Sequence, residues 1–129
     1  MRHRLEKDPK DFVANFNLGA VLLSRLDASG AVGPLETAVA AEPSRPEARN
    51  MLGVALQSVG RFSEAAAEFE IALKLRPDFT VARMNLADLE IRAGKLDEGI
   101  ADLRLGVAAD PENERLKERL QEALKARGR

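Results

Sequence analysis

The chain has 129 residues, with 20 Lys and Arg against 21 Asp and Glu, one histidine and no cysteine. Near-neutral charge without a block of one sign argues against nucleic acid or a membrane surface as partner, and the missing thiols exclude disulfides, cysteine nucleophiles and most zinc sites. No apolar run approaches the ~18 residues of a membrane span, and Met1 to Pro9 is too charged for a signal peptide, so the sequence as it stands predicts a soluble, cytoplasmic-type chain.

From its first residues the chain keeps a period. Pro9, Pro43, Pro77 and Pro111 stand 34 residues apart, and a fixed spacing in that range marks a repeat array rather than one closed globular fold. Met1 to Asp8 reads as the last turn and a half of another repeat's second helix, with Leu5 and Pro9 in frame. Residues 1–11 are therefore expected to be the remnant of a preceding repeat or a frayed N-terminus. On this reading the chain is a segment of a longer array, or an array whose first helix has decayed. The units that follow are 12–45, 46–79 and 80–113, with 114–129 as a terminal capping helix, all in one domain.

Unit one departs from the rest. Leu26 replaces a glycine at the turn, and Pro34 falls well inside the expected second helix. Proline is tolerated in a first turn and disrupts a helix interior, which predicts a late start near Ala31 to Pro34 and an end near Ala41. Unit two is regular. Ala48, Leu52, Ala55, Leu56 and Val59 share one helical face, Gly60 breaks the helix, and Phe62, Ala65, Ala66, Phe69, Ala72 and Leu73 share the next face before Pro77. Unit three repeats this plan with Gly94 in the turn and Asp97 placed to cap the helix after it. Leu116, Leu120 and Leu124 then form a narrow apolar stripe on an otherwise charged helix, as closing a stack requires.

Aligned on the prolines, the units share columns: Leu18, Leu52, Leu86, Leu120; Gly19, Gly53, Ala87, Gln121; Ala31, Ala65, Gly99; Leu35, Phe69, Leu103. Large residues recur where a core needs filling and small ones where helices must touch. With Arg49 to Leu56, Ala65, Phe69 and Pro77, the chain resembles the tetratricopeptide repeat, whose 34-residue pattern is W-x2-L-G-x2-Y, A-x3-F and P. Asn15, Arg49 and Arg83 hold the tryptophan column, and Leu22, Leu56 and Glu90 the tyrosine column. The resemblance implies an all-α, right-handed superhelical solenoid of antiparallel helix pairs, built of three such units and a terminal helix.

It also implies a concave groove, lined by the first helix of each unit, that receives a protein or peptide partner. In unit one Val13, Phe16, Ala20 and Leu23 form a second apolar stripe, apart from the expected core stripe of Ala14, Leu18, Val21 and Leu22. With Asn17 they are candidate groove residues, continued by Asn50, Met51 and Val54, then Val81, Met84, Asn85, Asp88 and Arg92. Methionine suits adaptable contacts. Asn17, Asn50 and Asn85 resemble the asparagine ladder of family members that hold extended chains. Members that clamp a C-terminal carboxylate use lysines, arginines and asparagines where this chain has Phe16, Ala20, Met51, Val81 and Asn85, which argues against that clamp.

Catalysis is poorly provided for. His3 stands alone in the N-terminal stretch, without a partner for a metal set or nucleophile dyad. Gly60-Arg61 and Gly94-Lys95 lack the rest of a phosphate loop, and Asp97 and Glu98 read as first-turn charges complementing the helix dipole. The sequence thus predicts no enzyme, no cofactor and no metal. It points to a noncatalytic scaffold that binds an extended or helical segment of a partner protein. The alternatives are self-association through the apolar first unit, giving a homo-oligomer, and the recruiting domain of a larger enzyme. In this frame Leu52→Ala is expected to cost about 2 to 5 kcal/mol; an unchanged thermal midpoint would refute the register.

Overall fold

A computed structural model describes residues 11–128, so the Met1–Asp8 reading and His3 lie outside the described residues. Among these residues there are seven helices and no strand: α1 (Phe12–Ser24), α2 (Ala28–Ala41), α3 (Pro46–Ser58), α4 (Phe62–Leu75), α5 (Thr80–Arg92), α6 (Leu96–Ala109) and α7 (Glu114–Arg127). They fall into two compact units, one reaching to Ile71 and the other beginning at Ala72. In the first unit α2 packs against both α1 and α3; in the second, α6 packs against both α5 and α7.

The turns after α1, α3 and α5 are one device used three times. The N–H groups of Asp27, Arg61 and Lys95 donate to the carbonyls of Leu22, Leu56 and Glu90 at 2.8, 2.9 and 2.8 Å. This six-to-one bond closes a Schellman turn and needs a left-handed residue just before the donor. Gly60 and Gly94 supply it with φ of 88° and 83°, and Leu26 is forced into it at 63°. The Leu26 side chain is 92% exposed, so no packing offsets its strained backbone.

Helix α2 starts at Ala28, not near Ala31 to Pro34, and runs through Pro34 to end at Ala41 as expected. Two local features explain the early start. The Asp27 carboxylate caps it, accepting the Gly30 N–H at 3.0 Å. The proline ring would also crowd the Cβ of the residue just before it, and that residue, Gly33, has none. In α6 the cap residue is Lys95 without a side-chain cap bond, so Asp97 does not cap; it sits with Glu98 in the first turn, where both complement the helix dipole.

Packing follows the small and large columns. A Cβ on Gly19 would stand 2.4 Å from Leu35 Cγ, and one on Gly53 would stand 2.6 Å from Phe69 Cε1. Leu35, Phe69 and Leu103 are fully buried, as are Ala31, Ala65, Ala38 and Ala72, while Phe62 is half exposed. Leu52 and Leu86 are buried, Leu120 is partly so, and Leu18 of the same column is 47% exposed. The expected core stripe of α1 is thus open at Leu18 and Val21, because among the described residues no helix precedes α1.

Arginine fills the tryptophan column with a polar clasp. Arg49 donates from Nε to the Pro43 carbonyl at 3.1 Å and from Nη1 to Glu68 at 3.1 Å. One repeat later Arg83 donates to the Pro77 carbonyl at 3.2 Å and to Asp102 at 3.0 Å. Each guanidinium joins the loop before its own helix to the helix after it, and charge-assisted bonds at such shielded sites hold geometry better than surface pairs.

Replacing Leu26 by glycine removes the left-handed penalty of about 1 to 2 kcal/mol and adds back part of it as unfolded-chain entropy. The net expectation is a gain of about 0.5 to 1 kcal/mol in chemical denaturation; a loss of stability would mean that Leu26 has a packing role.

Candidate functional site

In the first unit the candidate residues lie on α1 and α3, which touch one another. Their positions correspond through the repeat: Phe16 with Asn50, Asn17 with Met51, Ala20 with Val54. Val13 is 52% exposed and Asn17 is also open, whereas Phe16, Ala20, Leu23, Asn50, Met51 and Val54 are half-buried. Phe16 stacks on Phe12 with ring centroids 5.4 Å apart, and the Arg45 guanidinium covers the Phe12 ring at 4.8 Å. The second stripe of α1 is thus only partly a surface, since one of its edges is drawn into packing.

The second unit divides its candidates more sharply. Val81 is 54% exposed, Asn85 and Asp88 are half-buried, and Arg92 is exposed. Met84 is buried at 9% exposure, in a cluster with Ala87, Ile100, Leu103, Leu116 and Ala123. Its place in the repeat is that of Phe16 and Asn50, but here the position is closed in by α6 and α7. Met84 therefore does not present its side chain to a partner.

Asp88 and Arg92 line one cleft of about 380 Å3, with Ile91, Leu96 and Ala123 as its apolar lining. Arg119 of α7 reaches into the same cleft and pairs with Asp88. That hydrogen bond raises the guanidinium pKa above its ordinary value. Sequence spacing could not have found this ion pair, because Asp88 and Arg119 are 31 residues apart and in different repeats. Among the described residues no group of three His, Cys, Asp or Glu could hold a metal ion, and no helix is long and apolar enough to cross a membrane.

The profile of the tetratricopeptide repeat matches residues 50–114, half of the chain. The chain belongs to the tetratricopeptide repeat family. Its relatives include the Hsp70-Hsp90 organizing protein of Triticum aestivum, 32% identical over 96 residues that make up 74% of this chain and 16% of that protein. DnaJ homolog subfamily C member 3 of Mus musculus is 26% identical over 116 residues, covering 90% of this chain and 23% of the relative. The chain thus spans less than a quarter of either relative. Among solved structures, the first tetratricopeptide domain of Spaghetti (RPAP3) bound to the HSP90 peptide SRMEEVD superposes with a TM-score of 0.87 at 17% identity, over 95% of this chain and 97% of that one. MamA gives 0.90 at 20% identity, over 96% and 72%. At such identities the likeness is one of fold: an all-α solenoid of tetratricopeptide helix pairs.

A charge separates the two kinds of candidate in this repeat domain. Met84→Glu puts an unpaired carboxylate into a closed apolar cluster and is expected to cost about 3 kcal/mol or more. Val81→Glu on the same helix should change stability by no more than about 0.5 kcal/mol. Equal losses for the two variants in urea titrations would contradict this division.

Proposed function

We propose that this chain is a noncatalytic scaffold that takes an extended or helical segment of another protein on the first helices of its hairpins. The repeats are read as 12–45, 46–79 and 80–113, with 114–129 closing the array. The observation that carries the reading is Val13. A β-branched apolar residue stands open beside Asn17 on a helix, α1, that has no charged residue from Phe12 to Ser24. An apolar stripe supplies affinity through burial, and an asparagine amide both donates to and accepts from a peptide backbone, each bond being worth about 1 kcal/mol net.

Family membership supports this reading, as does the peptide held by the RPAP3 domain, whose fold this chain shares. The residue types point to a different ligand chemistry. Phe16, Ala20, Met51 and Val81 stand where a carboxylate clamp would need cations, so the segment bound here is apolar in its central residues rather than an acidic chain end.

Affinity capture with the full chain, Val13→Glu and Leu105→Glu tests the proposal. Leu105 is equally exposed but lies on α6, a second helix of its hairpin. Val13→Glu is expected to lower recovery of bound protein by about tenfold or more, with helicity and melting unchanged, while Leu105→Glu retains capture. Equal capture by all three proteins would refute the assignment to the first helices.

A further inference from the structure

The face of α1 that the fold leaves open has a pattern of its own. Asp11, Ala14, Leu18, Val21 and Arg25 follow one another at spacings of 3, 4, 3 and 4, which is the seam of a helix that pairs with another helix. Elsewhere in the chain the same places are closed: Ala48, Leu52 and Ala55 on α3, and Ala82, Leu86 and Leu89 on α5, are all buried. On α1 both Leu18 and Val21 remain 47% exposed.

The ends of this seam carry opposite charges, Asp11 before the helix and Arg25 after it, each seven residues from Leu18. A seam that is apolar at its centre and oppositely charged at equal distances on either side is complementary to itself when reversed. An antiparallel copy sets Leu18 on Leu18 and each Asp11 against the other copy's Arg25. A parallel copy would oppose like charges. The far end of the chain offers no such surface, since the outer positions of α7 are Arg115, Glu118, Gln121, Glu122 and Lys125; head-to-tail pairing would bury an apolar seam against charge.

We propose that α1 is the interface of a two-fold homodimer, formed by antiparallel pairing of the Asp11–Arg25 seam of two copies. Val13 lies on a different side of α1 from Leu18, whereas Asn17, three residues after Ala14 and four before Val21, flanks the seam. The Asp11 Oδ1 that accepts the Val13 N–H at 2.9 Å keeps its capping role, while the carboxylate attracts the guanidinium across the dyad. The interface uses one helix of 13 residues, about 20 Å long, and buries less than the roughly 1,600 Å2 of a standard complex. A dimer of that size is expected to be weak, and salt weakens it further.

Sedimentation equilibrium of the full chain tests this over a concentration series at low salt, with circular dichroism to verify folding. The wild type is expected to pass from monomer to dimer. Leu18→Glu counts twice across a dyad and should raise the dissociation constant by roughly 30-fold or more. Arg25→Glu should raise it by roughly 5-fold, and adding Asp11→Asn, which caps a helix as well as aspartate does, should recover part of that loss. A monomer at every concentration overturns the proposal. A dimer that survives Leu18→Glu places the interface elsewhere and overturns it too, and a dimer indifferent to Arg25→Glu overturns the antiparallel register on which it rests.

Discussion

Among the described residues no helix exceeds 14 residues, a length at which an isolated helix is marginal in water. Each must therefore lay an apolar side on a neighbour, and the closeness of that contact governs the rest. Gly19 against Leu35 and Gly53 against Phe69 set the spacing within the first two hairpins, since a single Cβ at either glycine would collide with the opposing side chain. Once the helices stand that close, the alanines of the same faces are sealed from water. The turns are then left little choice, and three Schellman closures follow at the period of the repeat.

The same constraint explains how the polar groups are arranged. Where the family pattern has a tryptophan, Arg49 and Arg83 stand with their charges mostly shielded, and each satisfies a proline carbonyl and a carboxylate together. A flat ring would fill that space by burial; the guanidinium fills it with its stem and ties a loop carbonyl to a carboxylate of the following helix at its head. The surfaces left over are then defined by what the hairpins do not use: Val13 on one side of α1, the seam through Leu18 on another with Asn17 at its flank, and the charged cleft of α5 and α7 in the second unit.

Much of this was legible in the chain. The period, the helix pairs and the small and large columns follow from residue type and spacing, because a helix that must pack on copies of its own hairpin repeats its contacts at the repeat length. The sequence also marked Leu26 as anomalous, and the backbone there is indeed held left-handed at a side chain that gains nothing from it. Pro34 misled for a local reason: the Asp27 cap fixes the start of the helix upstream of it, and Gly33 offers no Cβ to the proline ring. Asp97 misled because capping depends on the residue that falls just outside the helix, and that residue is Lys95.

Local spacing by itself determined the repeat, the pairing of helices into hairpins and the family the chain joins, since these depend on contacts within 34 residues. Which face of a helix ends up covered depended on the tertiary structure. Phe16 and Met84 hold equivalent positions on helices of similar pattern, yet Met84 is closed in by α6 and α7 whereas Phe16 stays half open. Leu18 and Leu52 are the same residue in the same column, one exposed and one buried, because α3 has α2 beside it and α1 has no described helix before it. Burial belongs to the neighbour as much as to the residue, so no reading of one helix could have decided it.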